Sequence, residues 1–132
     1  MKTIIDSNII IRYLVADNKI LHEKAKTFFA GVRNGTTKIF LEQIVFAEAV
    51  NLLSSRYNVP REKINETLSY LIKYRGINCD DKAIFLNALE IYSSSEFSIS
   101  DALLLAKANI LNYELFSFND KFLDYYEQFS NN

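Results

Sequence analysis

The chain has 132 residues, 49% apolar and 14% aromatic, with three Gly and one Pro. That is enough buriable surface to offset the ordering entropy of one folded domain without disulfide or metal staples, and it excludes intrinsic disorder as the main state. Fifteen basic against sixteen acidic residues leave a formal charge of -1, so no global positive field gathers nucleic acid and any such contact has to be local. His22 and Cys79 are the sole His and Cys, too few for a zinc site, an internal disulfide or a Ser-His-Asp or Cys-His nucleophile pair of any conviction. An acid stands at Asp6 where a signal peptide would stay apolar, and no run approaches the roughly 18 apolar residues of a membrane span. The expectation is a cytoplasmic protein.

Lys2 to Ile5 reads as a strand closed by Asp6-Ser7-Asn8, residues that favour turns and helix starts. Ile9 to Val15 supplies a first helix, and a second runs from about Ile20 to Val32 before Asn34-Gly35 stops it. Lys38 to Leu41 is the next strand. Ile44 to Tyr57 recurs with helical spacing, and Pro60 stands near the start of another helix that reaches Lys73. Gly76 to Cys79 reads as a short strand, Asp81 to Tyr92 as a helix, and Ser93-Ser94-Ser95 as a loop. Ser98 or Ser100 can cap a helix that begins near Asp101 and runs through Ala108. Glu114 to Phe118 then reads as a strand and Lys121 to Phe129 as a last helix. Strands separated by helices argue for an α/β layer fold with a parallel sheet, in one domain over residues 1–132.

In such a sheet, ligands bind beyond the carboxyl ends of the strands. Asp6 stands at one such end, where a turn or cap role is the plain alternative. Glu48 falls on the helical stripe of Ile44, Val45, Leu52 and Ser55, which predicts a carboxylate turned toward the protein or a cleft rim; an exposed or ion-paired Glu is the alternative. Asp101 opens an apolar helix, where it can also simply suit the helix dipole. Asn119 and Asp120 follow the expected last strand and can equally form an Asx turn or cap. Hard oxygen donors of this kind suit Mg²⁺ or Mn²⁺, and such an ion orients water and stabilises charge on phosphoryl oxygens. No glycine-rich phosphate loop is present.

These segments resemble the PIN domain family, and more closely its VapC-type toxin branch. Lys2 to Leu14 is similar to that family's first strand, metal-binding aspartate and following helix. Phe46-Ala47-Glu48-Ala49-Val50-Asn51-Leu52-Leu53 is similar to the helix carrying its glutamate, and Ser100-Asp101-Ala102-Leu103-Leu104 to the segment carrying its next aspartate. At the fourth position the family often has a Thr-Phe-Asp-like segment, whereas this chain has Ser117-Phe118-Asn119 followed by Asp120. The resemblance implies a three-layer α/β/α sandwich with a mainly parallel central sheet and a metal-dependent endoribonuclease toxin. It further implies a homodimer, neutralisation by a VapB-type antitoxin, and structured RNA such as tRNA or rRNA as substrate. Asp6, Glu48 and Asp101 are then the candidates to hold Mg²⁺ or Mn²⁺, Asn119 or Asp120 completes the acidic pocket, and Ser7, Asn8 and Ser117 are candidates to orient those groups. Arg12, Lys38, Arg56 and Lys73 are candidates for phosphate contacts, with solvated surface as the alternative. Tyr13, Tyr57 and the run Phe122 to Tyr126 can stack bases or form an interface, or pack in the core. Two further classes are a non-catalytic PIN-like RNA- or partner-binding module and an unrelated α/β phosphohydrolase using Asp6. For the latter, the Asp-x-Asp arrangement is missing.

Overall fold

The computed structural model describes residues 2–130, with side chains described to residue 128. Its elements are β1 (Thr3–Ile4), α1 (Ser7–Leu14), α2 (Lys19–Asn34), β2 (Ile39–Phe40), α3 (Gln43–Ser55), α4 (Arg61–Ile72), β3 (Ile77–Asn78), α5 (Lys82–Ser93), α6 (Ile99–Ile110) and α7 (Asp120–Ser130). The fold is α/β, with a three-stranded parallel sheet in the order β1-β2-β3. Contacts between Cα atoms divide the chain into two compact units, residues 1–82 and 83–132.

The first unit holds the whole sheet. Thr3 stands opposite Ile39 and Ile4 opposite Phe40, while Ile39 stands opposite Ile77 and Phe40 opposite Asn78. Parallel neighbours need crossovers, and the pairs α1/α2 and α3/α4 supply them. β2 is the central strand, so Ile39 is buried, whereas β1 is an edge and leaves Ile4 68% exposed. α1 packs on α2 and α3, and α3 on α4. The buried set includes Ile10, Ile11, Phe29, Val32, Phe46, Val50, Leu68 and Leu71.

Local chemistry sets the ends of these elements. Asn18 caps α2, its side chain accepting from the Leu21 amide at 3.1 Å. Gly35 ends the same helix at φ 90°, a left-handed conformation that costs glycine little. Pro60 sits just before α4 with φ near -62°, preset for a helix entry. Gly76 is required for a different reason. It threads between two carbonyls, with its amide donating to Val32 O at 2.8 Å and its own carbonyl accepting from the Ile39 amide at 2.9 Å. A Cβ there would sit 2.7 Å from Val32 O and would run into Thr37 O.

The second unit is helical. α6 buries Ile99, Ala102, Leu103, Leu105, Ala106 and Ala108 and packs on α7. The strand expected over Glu114 to Phe118 is not formed. Exposure along it does alternate, with Leu115 and Ser117 half-buried and Glu114, Phe116 and Phe118 exposed. A strand also needs a ladder partner, and among the described residues no backbone hydrogen bond ties residues 114–118 to a neighbour. The periodicity that suggested a strand reports side-chain disposition only. The segment is instead launched from α6 by Asn112, which takes a positive φ of 58°.

Candidate active site

Asp6 is held at the entry of α1. It is the N-cap residue, with an extended backbone, and its Oδ1 accepts from the Ile9 amide at 3.2 Å. The turn role and a metal role are thus compatible, because one oxygen serves the helix and Oδ2 has no hydrogen-bond partner among the described residues. Next to it Ser7 is buried, at 5% exposure, and Asn8 is exposed.

Glu48 lies midway along α3 on the stripe with Ile44, Leu52 and Ser55, but that stripe faces outward. Phe46, Ala49, Val50 and Leu53 are the buried residues, Glu48 is exposed and Ile44 is 75% exposed. α3 carries apolar side chains on both faces, so periodicity groups the stripe correctly without saying which way it points.

In the second unit, Asp101 is half-buried in the first turn of α6, and its amide donates to Ser98 Oγ at 3.1 Å. Ser98, rather than Ser100, is therefore the cap. Asn119 Oδ1 accepts from the Phe122 amide at 3.2 Å, which makes it the cap of α7, and the Asn119 amide donates to Ser117 Oγ at 3.0 Å. Asp120 is exposed in the first turn of α7. This distinguishes two neighbours the sequence left equal: the Asn119 amide oxygen is committed to a helix end, whereas the Asp120 carboxylate has no partner among the described residues.

Among the described residues, none of Asp6, Glu48, Asp101 and Asp120 has an ion-pair partner. Their donor chemistry, hard carboxylate oxygen without a competing Lys or Arg, fits a divalent cation such as Mg²⁺ or Mn²⁺. Within each unit, no three His, Cys, Asp or Glu side chains among the described residues gather as a metal-holding group.

The basic candidates separate. Arg12 is tied to Asp17 at 3.1 Å, which removes it from the free cations, while Lys38, Arg56 and Lys73 are exposed. The aromatic candidates are largely anchored. Tyr13 stacks on Phe29 with centroids 4.3 Å apart, and the Tyr57 hydroxyl donates to Asp17 Oδ2 at 3.0 Å. Phe122 is buried against Phe97 at 5.7 Å, Tyr125 meets the same ring at 5.5 Å, and the Tyr126 hydroxyl donates to Tyr113 O at 3.2 Å. Among the described residues, no helix is long and apolar enough to cross a membrane.

The model of the PIN domain family matches residues 3–128. The chain belongs to the PIN domain family. PIN domains have a nuclease-type fold and are generally metal-dependent nucleases, and the match takes in all five acidic-pocket candidates. No curated protein and no solved structure matches the chain significantly. Sequence reasoning missed one group of residues in this PIN domain: Lys26 and Arg33 on α2, with Tyr70 and Tyr74 across from them. Only the α2 half of the group carries a sequence signal, since Lys26 and Arg33 are seven apart and so share a helix face.

Proposed function

We propose that this PIN domain is a cytoplasmic Mg²⁺- or Mn²⁺-dependent endoribonuclease that hydrolyses phosphodiester bonds in tRNA or rRNA. In this reading residues 1–132 work as one domain, in a homodimeric toxin of the VapC type that a cognate VapB-type antitoxin restrains. The observation that carries the reading is the family match over residues 3–128, supported by carboxylates at Asp6, Glu48 and Asp101 that no basic residue neutralises among those described.

Asp6, Glu48 and Asp101 would hold the ion, whose chemistry is to acidify a bound water and offset charge developing on the phosphoryl oxygens. The chain's own contribution is to fix the ligands. Binding the Ile9 amide through Oδ1 restricts the Asp6 carboxylate to one orientation and leaves Oδ2 to bind. The Ser98 cap sets the first turn of α6, and with it the backbone at Asp101. Asp120, with its carboxylate uncommitted, supplies the fourth acid in this reading, while Asn119 and Ser117 set the start of α7 that presents it. Helix N-termini suit carboxylates, which is where Asp6, Asp101 and Asp120 all stand.

The test is digestion of total cellular RNA by the purified protein with Mg²⁺ or Mn²⁺, beside an EDTA control and the Asp6→Ala, Asp101→Ala double variant, with the ends mapped by sequencing. Discrete cuts lost in EDTA and in the variant support the assignment and reveal the target. Cuts that persist in the double variant overturn the site; no cuts from folded, metal-loaded protein free of antitoxin overturn the enzyme in favour of a binding module.

A further inference from the structure

A groove of about 620 Å³ is lined by α2, α4 and the end of α1, all within residues 1–82. One wall is the α2 face carrying His22, Lys26 and Arg33, whose spacing places all three on one side of a helix. The other carries Glu66, Tyr70 and Tyr74. Arg33 bridges them. Its Nη2 donates to the Tyr74 hydroxyl at 3.1 Å and to the Tyr70 hydroxyl at 3.4 Å, and the guanidinium lies 5.1 and 5.6 Å from the same two rings. The Tyr13 hydroxyl meets that of Tyr74 at 2.7 Å.

The cluster is built around the positive charge of Arg33. Among the described residues neither Arg33 nor Lys26 makes an ion pair, and Glu66 pairs with Lys63 along its own helix at 3.7 Å. Burial, followed by the Tyr74 hydrogen bond, pushes the Tyr13 hydroxyl up to about 12, so this phenol is a neutral neighbour. Among the described residues both Arg33 hydrogen bonds use Nη2, which leaves Nη1 and Nε as donors of the planar fork that matches a phosphate or carboxylate. Beside it Tyr70 is 62% exposed. The volume falls within the roughly 300–1,000 Å³ of small-ligand sites.

We propose that this groove binds a nucleotide unit, with its phosphate between Arg33 and Lys26 and its base against the Tyr70 ring. An aromatic platform next to an unpaired guanidinium accepts any base, since every base has a stacking face, and the cations select the charged nucleotide over the bare nucleoside. α1 spans about 12 Å from its Asp6 end to its groove end, so the groove is separate from the Asp6 carboxylate and the inference goes beyond the nuclease reading. The nucleotide can be free or part of an RNA strand, two sources with the same chemistry.

The test is isothermal titration calorimetry of the full chain in EDTA, so that failure of a divalent-ion site leaves the outcome untouched. The titrants are adenosine 5′-monophosphate, uridine 5′-monophosphate, adenosine and a four-nucleotide RNA. Both monophosphates are expected to bind saturably, adenosine at least about tenfold more weakly, and Arg33→Gln and Tyr70→Leu each to lose about tenfold or more. Lys26→Gln, at an exposed position with no ion-pair partner among the described residues, carries the same expectation should either of those variants unfold. A tetranucleotide that binds more tightly than the monophosphates supports the strand as the source, and equal affinity supports the free nucleotide. The proposal is overturned if no nucleotide binds at millimolar concentration, if binding ignores Arg33→Gln and Lys26→Gln, or if an acidic peptide such as Glu-Phe-Glu binds where the nucleotides do not.

Discussion

Replacing Gly76 by Ala is expected to loosen the sheet of the first unit, although the change adds a single methyl group. The ideal Cβ falls 2.7 Å from Val32 O and 3.1 Å from Val32 Cα, with Thr37 O nearer still. All three are backbone atoms, so no side-chain rotation relieves the contact. β3 has to retreat, and the two bonds that hold Gly76, its amide to Val32 O at 2.8 Å and its carbonyl from the Ile39 amide at 2.9 Å, stretch together. Each buried backbone bond is worth about 1 kcal/mol net and more when its donor is left unsatisfied, so two give about 2–4 kcal/mol. The stiffer unfolded chain of an Ala returns about 0.4–1 kcal/mol. The net loss is about 1–3.6 kcal/mol, which with a urea slope of about 2 kcal/mol/M lowers the midpoint by about 0.5–1.8 M. Urea unfolding followed by far-UV circular dichroism measures this directly. A midpoint unchanged or raised at constant slope would show that the close passage of Gly76 past Val32 and Thr37 is not as described.

Asp6→Asn keeps an acceptor for the Ile9 amide, and Asn and Asp cap helices about equally well. Stability should therefore stay within about 0.5 kcal/mol while metal-stimulated RNA cleavage is lost; a large drop in melting temperature would mean that the charge, rather than the cap, was needed by the fold. Asn119→Asp likewise preserves the cap on the Phe122 amide and adds a carboxylate beside Asp120, so the Mg²⁺ concentration for half-maximal cleavage should fall; no change or a rise would show that the start of α7 does not serve the ion. The Tyr13 phenol is raised from 10.0 to about 12, so its contribution to stability is complete below pH 10 and is lost as pH climbs through 12. With allowance for its partial exposure this is about 1 kcal/mol, read as a steeper alkaline loss of stability in wild type than in Tyr13→Phe; parallel curves would refute it.

The parts that local chemistry decides were legible in the sequence. Asp6-Ser7-Asn8 announced the entry to α1, Asn34-Gly35 the end of α2 and Pro60 the entry to α4, because caps and left-handed stops act over a few residues. Parts that depend on distant partners were not. The outward turn of Glu48 follows from which side of an all-round apolar α3 meets α1 and α4. The stretch 114–118 alternates like a strand, yet a ladder requires an edge supplied from elsewhere in the chain. The Arg33 cluster joins residues 37 and 41 positions apart, beyond any periodicity.

α1 has eight residues, fewer than the roughly 12–15 an isolated helix needs to persist in water. It exists because α2 and α3 press on it, and it has no middle turn in which to absorb a displacement. Tyr13 at its groove end and Asp6 at its cap therefore stand on one two-turn rod whose place is set by α2 and α3 together.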